Sequence, residues 1–299
     1  MSSIDWRGVF PALTTKFKAD YSLDFDAMAE HLEFQLGAGI HGIIILGSLG
    51  ENSTLSMDEK VEMVRFFSAQ IGKRVPLVAC IAESGTREAL EILDRATEAG
   101  ADGFMLLPPM RYGSDSRETL EYFRAVGNAS SRPIMLYNNP LAYGTDITPM
   151  EFASLADVSV FEAIKESAAD TRRFPEIRYH AGDRYALFCG VDDVALECFA
   201  MGAVGWVSGL VVAFPHETVK LYELMMAGKW QEARKLYEWY LPLLHLDVGG
   251  KFVQQIKLVE ELHGVGSARV RAPRLELVGD EAAHVKAVYQ QAIETRPML

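Results

Sequence analysis

The sequence predicts an α/β protein: a TIM (β/α)8 barrel followed by appended C-terminal helices. Three observations carry that prediction. Strand-like apolar runs alternate with amphipathic helical stretches eight times, with short connections and no low-complexity linker. Such alternation signals a parallel sheet, and eight repeats favour closure into a barrel. Gly42 to Gly47 (GIIILG) is a continuous apolar run, as a parallel strand covered on both faces requires. A phrase also recurs ahead of strands, as Ala38-Gly39-Ile40-His41-Gly42, Ala99-Gly100-Ala101-Asp102-Gly103 and Met201-Gly202-Ala203-Val204-Gly205. Each is a helix-ending glycine followed by strand entry.

In chain order, Val9 to Phe17 reads as the first strand and Asp24 to Gly37 as a helix opened by Asp24. After the apolar second strand, Ser56 caps a helix, with Glu59 three residues on completing a capping box. Pro76 to Ile81 is strand-like, Thr86 to Ala99 helical, Gly103 to Leu107 strand-like and Arg117 to Gly127 helical. Pro133 to Tyr137 (PIMLY) is the fifth strand, and Thr148-Pro149 opens a short helix with proline where the first turn tolerates it. Val160 to Lys165 is the sixth strand; Ala186 to Gly190 and Gly205 to Ser208 are the seventh and eighth, with a helix between them. From about Lys229 the rhythm stops. Trp230 to Leu246, Lys251 to His263 and Asp280 to Glu294 read as helices, interrupted at Arg271-Ala272-Pro273. The expected organisation is a barrel over residues 1–228 and a helical segment over 229–299 packed on it.

The 299 residues are 49% hydrophobic, enough for a large core, and the net charge of −12 with no basic run argues against a nucleic-acid partner. Cys80, Cys189 and Cys198 form no CxxC pair and fit a reducing compartment as small buried hydrophobes. Met1 to Val9 has no basic n-region and no apolar h-region, so no secretion signal is expected, and Gly202 to Phe214 is too short and glycine-rich to span a bilayer. The expectation is a soluble, cytoplasmic protein with no membrane partner. The seven histidines show no ligand spacing and no glycine-rich fingerprint follows a strand, so neither metal nor nucleotide cofactor is expected.

The working face of such a barrel lies at the carboxyl ends of its strands. The sixth strand ends on a lysine, with Phe161, Ala163, Lys165 and Ser167 on one face and Ile164 on the other. A strand-end lysine facing a packed interior loses charge to desolvation and becomes an amine nucleophile for a carbonyl or imine carbon. A terminal lysine that snorkels to solvent has the same local sequence. The second strand ends in Gly47-Ser48-Leu49-Gly50-Glu51, a turn whose N–H groups can face an anion, although a plain strand-to-helix turn reads the same way. The fifth ends in Tyr137-Asn138-Asn139-Pro140; Tyr137 is either a core tyrosine bonded to a carbonyl or a phenol beside Lys165 on the neighbouring strand.

GSLGE, YNNP and AIKES, in this order and spacing, resemble the dihydrodipicolinate synthase/N-acetylneuraminate lyase family of class I aldolase-type barrels. The likeness covers essentially the whole chain, including Gly190-Val191-Asp192-Asp193 and Gly205-Trp206-Val207-Ser208-Gly209. It implies that Lys165 forms a covalent Schiff base, that Tyr137 relays protons, and that Ser48 helps bind the substrate carboxylate and connects to the tyrosine. Gly47, Leu49, Gly50, Asn139 and Ser208 are the further substrate-binding candidates. No cofactor beyond the lysine imine is implied, and the family's habit is a homotetramer, a dimer of dimers.

Departures narrow the expected chemistry. Where the synthase proper carries an arginine for a second carboxylate, this sequence has Ala142; its second turn hydroxyl is Leu49 here. Its Pro-Tyr-Tyr segment is replaced by Pro109-Met110-Arg111-Tyr112. The loops and the run Arg269 to Leu275 look closest to the Δ1-pyrroline-4-hydroxy-2-carboxylate deaminase branch, which implies release of ammonia in hydroxyproline breakdown. The alternatives are a dihydrodipicolinate synthase-like or other pyruvate-dependent aldolase, and a non-catalytic barrel that binds 2-oxo acids. Asp192 and Asp193 are expected to contact substrate hydroxyls or cap the next helix, with capping favoured for one of them. Glu51 is expected to order its turn or open the helix rather than do acid–base work, and Glu83, at a strand end within reach of the pocket, to be exposed.

Overall fold

A computed structural model describes residues 4–109 and 111–298. The alternating units become β1 (Gly8–Pro11), α1 (Phe25–Gly37), β2 (Ile43–Ile45), α2 (Met57–Ile71), β3 (Leu77–Ile81), α3 (Thr86–Ala99), β4 (Gly103–Leu106) and α4 (Ser116–Ala129). They continue as β5 (Ile134–Asn138), the short α5 (Pro140–Tyr143) and α6 (Pro149–Ser154), β6 (Phe161–Glu166), α7 (Arg173–Ala181), β7 (Ala186–Cys189), α8 (Ala195–Ala200), β8 (Gly205–Ser208) and α9 (Pro215–Met226). The strands form one eight-stranded parallel sheet in the order β1-β8-β7-β6-β5-β4-β3-β2. A bridge between Ala12 and Ile44, with the Leu13 N–H donating to the Ile44 carbonyl at 2.8 Å, brings the two ends together. The result is a TIM barrel.

Local chemistry sets the element ends. Asp24 accepts from the Ala27 N–H at 3.2 Å, and capping boxes open α2, α4 and α6 through Ser56, Asp115 and Thr148. Glycines at the barrel floor leave space for rings. A Cβ at Gly42 would lie 2.1 Å from Phe10, and one at Gly205 would lie 2.2 Å from Phe188. Phe10 and Phe188 meet edge to face at 5.3 Å, joined by Trp6, whose indole N–H donates to Glu162 at 2.8 Å. The floor is thus solid, and any ligand must enter from the opposite, carboxyl end.

Two strand expectations are corrected. The first strand stops at Pro11 because residues 12–17 cross toward β2 and the C-terminal helices. Phe161 does not share a face with Lys165: the β5–β6 register slips between Ile134 and Met135. Its ring lies where a Cβ on Gly127 of α4 would be, 2.5 Å away, so it packs outside the barrel.

After the barrel come α10 (Trp230–Leu244), α11 (Phe252–His263) and α12 (Gly279–Glu294). Helix α11 reaches the working end through two buried ion pairs, Lys257–Glu51 at 2.7 Å and Lys16–Glu260 at 2.5 Å. Lys257 also donates to the Thr15 carbonyl at 2.9 Å, and Glu51 accepts from the Arg271 N–H at 3.0 Å. The turn after β2 is therefore held by the C-terminal segment. Removing one member of a fully buried pair strands the other charge, at a cost of about 3–5 kcal/mol. Lys257→Met should lower the urea-unfolding free energy by that amount; a loss below about 1 kcal/mol would show that the pair does not anchor the turn. No described helix is long and apolar enough to cross a membrane.

Candidate active site

Strands β5 and β6 place Tyr137 directly opposite Lys165 at the open end. Lys165 Nζ lies 4.1 Å from the centroid of the Tyr137 ring, and both side chains are buried. Gly190, just after β7, makes this possible: a Cβ there would sit 2.7 Å from Lys165 Cε and 2.0 Å from Ser167 Oγ. Burial lowers the lysine pKa from its ordinary 10.5, although Tyr143, Asp247 and Asp192 nearby favour the charge. Desolvation wins, and a neutral amine is a nucleophile. Burial also pushes the Tyr137 phenol up to about 12, so it is protonated and able to donate at neutral pH. Ser167, buried on the same side, has a hydroxyl with no hydrogen-bond partner among the described residues.

The turn after β2 carries Ser48. Leu46 and Glu51 flank it in the left-handed region, at φ 64° and 56°, where non-glycine residues are strained. Both side chains are fully buried, which fixes that strained backbone. The Asn52 N–H donates to Gly47 at 3.2 Å, while among the described residues the Ser48 and Leu49 N–H groups meet no acceptor. Those two amides and the Ser48 hydroxyl make a nest for an anion. Gly50 is structural: a Cβ would press on the Leu13 carbonyl at 3.0 Å, and its own carbonyl accepts from Thr15 at 2.6 Å. The Leu49 side chain joins the buried core.

Ser48 does not bond Tyr137 directly. Its hydroxyl shares a hydrogen bond with Tyr143, whose ring meets Tyr137 edge to face at 5.8 Å. Tyr143 also acts on the Tyr137 phenol, offsetting part of the burial that raises its pKa. Ser48, Tyr143 and Tyr137 thus line up in that order toward Lys165, all within one polypeptide. Tyr143 was given no role from the sequence. The available signal was Asn139-Pro140, a cap followed by proline at the first helical turn: α5 curls the chain back and returns Tyr143 over the barrel mouth.

Asn139 works on this frame. Its Oδ1 accepts from the Ala142 N–H at 3.0 Å, and its Nδ2 donates to the Tyr137 hydroxyl at 3.1 Å. On the outer side, Glu166 accepts from Asn138 at 3.1 Å and from Arg173 of α7 at 2.9 Å. Arg173 also pairs with Asp146 and donates to the Ile147 carbonyl, so one guanidinium clamps β6 to the loop bearing Tyr143. Ser208 is buried, donating to Asp192 at 3.0 Å and accepting from the Val211 N–H at 3.3 Å.

The capping expectation for the aspartates is overturned, since neither caps the segment that follows β7. Asp192 instead accepts from Trp206 Nε1, Ser208, and the Gly209 and Leu210 N–H groups, fixing the turn after β8. Asp193 faces His245 at 3.7 Å. Glu83 is not freely exposed but pairs with Lys60 at 2.6 Å, most of both side chains covered. Met110 lies outside the described residues. A second residue without a sequence-assigned role, Asp247, comes from a 3₁₀ turn (His245–Asp247) after α10 and lies near Lys165 and Asp192.

Known proteins match this architecture along the chain. A model of the dihydrodipicolinate synthetase family matches residues 5–292. The 4-hydroxy-tetrahydrodipicolinate synthase of Methanothrix thermoacetophila is 31% identical over 95% of this chain and 96% of its own. That of Geotalea uraniireducens is 33% identical over 95% and 97%. The structure of the corresponding synthase from Methylacidiphilum fumariolicum superposes with a TM-score of 0.93 at 27% identity, covering 96% of each chain. A prophage protein of the dihydrodipicolinic acid synthase family from E. coli K12, solved in complex with pyruvate, gives a TM-score of 0.90 at 28% identity over 96% and 98%.

Proposed function

We propose, for a chain that belongs to the dihydrodipicolinate synthetase family, the conversion of Δ1-pyrroline-4-hydroxy-2-carboxylate and water into 2,5-dioxopentanoate and ammonia. Members of this family are Schiff-base, class I aldolase-type lyases that use a lysine imine and no metal or other cofactor. The finer assignment rests on one observation. The titratable side chains acting on Lys165 are all acids, Tyr143, Asp247, Cys80 and Asp192, with no guanidinium or second amine among them, while Ala142 sits exposed on α5. A second substrate carboxylate would meet no cationic partner here. A substrate with one carboxylate and a nascent amine fits it.

In this reading the Ser48 nest holds the single carboxylate and Lys165 Nζ adds to C2. The C2–N bond to the ring nitrogen breaks, leaving that nitrogen as an amine on C5 and C2 as an imine of Lys165. The imine acidifies C3, whose proton leaves through Tyr137, Tyr143 and Ser48. The enamine then expels the C4 hydroxyl as water, and tautomerisation carries the unsaturation to C5. Two waters hydrolyse the C5 imine to aldehyde and ammonia and free C2 from Lys165. The net consumption is one water.

The second reading is condensation of pyruvate with aspartate semialdehyde, favoured by the synthase names of relatives 31–33% identical to this chain. One assay separates them. The purified protein is given the pyrroline, ammonia is measured, and the aldehyde is coupled to a semialdehyde dehydrogenase; condensation is measured in parallel. Ammonia and aldehyde in equal amounts are expected. Robust condensation with no ammonia would favour the synthase reading.

A further inference from the structure

The turn His245–Asp247 packs against the turns that follow β7 and β8, with Leu246 buried beneath it. The Asp247 carboxylate then occupies the space that a side chain at position 209 would fill. A Cβ on Gly209 would lie 2.3 Å from Asp247 Oδ1 and 2.8 Å from its Cγ. Any residue but glycine there would displace the acid. The carboxyl group is largely enclosed by protein yet keeps an open edge, close enough to act electrostatically on both Lys165 and Tyr137.

Asp247 and Asp192 are neighbours in different surroundings. Asp192 accepts hydrogen bonds from an indole, a hydroxyl and two backbone amides. Among the described residues no donor reaches the Asp247 carboxylate, and the nearby charges are Asp192, Asp193 and Lys165. Burial, followed by Asp192, holds Asp247 well above the ordinary carboxyl range, while Asp192 is pushed up only to about 6. Two carboxyl groups set apart in this way divide the roles of structural anion and proton donor.

We propose that Asp247 is the general acid that protonates the C4 hydroxyl as it leaves and, once ionised, the base that takes a proton from C5. This rests on the deaminase reading and assigns the step that reading leaves open. In the lysine enamine the nitrogen lone pair re-forms the C2 iminium, and the C2–C3 pair becomes the C3–C4 double bond. The C4–O pair leaves on oxygen, which takes the Asp247 proton and departs as water. The carboxylate then removes a proton from C5, the conjugated pairs shift back toward C2, and Asp247 returns the proton to C4. C4 becomes a methylene and C5 an imine ready for water. Tyr137 returns the first proton to C3, restoring the lysine imine, and Asp247 regains its proton as the C5 imine is hydrolysed. No oxidant or further reactant is required.

The test uses Asp247→Asn and Asp247→Glu beside wild type, with two readouts. The first is ammonia release from the hydroxylated pyrroline. The second is enzyme-dependent exchange of C3 protons for deuterium in Δ1-pyrroline-2-carboxylate, which needs the Lys165 imine and Tyr137 but has no leaving group. Asp247→Asn should slow ammonia release by about 10²–10⁴-fold, the scale of general acid–base catalysis, while exchange stays within about threefold of wild type. Asp247→Glu should restore part of the ammonia release. Ammonia release within tenfold of wild type in the Asn variant would overturn the acid role while sparing the substrate assignment. A parallel loss of exchange would make Asp247 a positioning residue for Lys165 and also overturn it. Exchange without ammonia in the wild type would remove the substrate assignment itself.

Discussion

Lys165→Ala is expected to reduce turnover to background, a loss on the order of 10⁵–10⁶-fold, the scale seen when an enzyme loses its covalent nucleophile. The side chain stands buried at the end of β6 with its amine over the Tyr137 ring. Among the described residues Lys165 is the lysine over the Tyr137 ring, and Lys16 and Lys257 are committed to buried carboxylates. The fold should survive, because removing a buried cation also removes a desolvation cost. The same burial predicts a pH dependence for the wild type. A lysine pKa lowered below 10.5 means that the neutral amine is lost as pH falls through the folded value. Imine formation should therefore rise with pH and reach its plateau below 10.5. A midpoint at or above the ordinary lysine value would contradict the desolvated amine.

Tyr137→Phe is expected to lower turnover by about 10²–10⁴-fold with the fold intact, because one hydroxyl is lost from a ring that keeps its packing. Its phenol stays protonated at neutral pH and sits between Lys165 and the Tyr143–Ser48 pair. Tyr143→Phe interrupts the same chain one link further out and should act in the same direction. Because the links act as a unit, the double variant should be little worse than Tyr137→Phe alone. Multiplying losses would mean that the two tyrosines serve separate steps. Wild-type rates in Tyr137→Phe would remove it from the mechanism.

Much of the frame was legible because it depends on local chemistry. The Ser56–Glu59 capping pair and the Thr148-Pro149 opening mark helix starts through contacts close in sequence. Tyr137 and Lys165 could be placed together because parallel strand ends lie side by side in a barrel. What escaped depends on contacts far apart in sequence or on small slips in geometry. Asp247 reaches the mouth only because α10 ends over the β8 turn and Gly209 leaves it room. Asp192 could be seen as an acid in a turn, but its partners Trp206, Ser208 and Leu210 lie some fifteen residues on. Tyr143 needed one turn of helix to be read as a return path rather than a loop. Phe161 broke strand alternation through a register shift that has no signature in its own residues.

The covalent claim is tested most directly by trapping the intermediate. The protein is incubated with Δ1-pyrroline-4-hydroxy-2-carboxylate, borohydride is added during turnover, and the modified peptide is identified by mass spectrometry. A reduced secondary amine carrying the five-carbon substrate chain on Lys165 is predicted. An adduct on another lysine, or no adduct while ammonia is still released, would contradict the account.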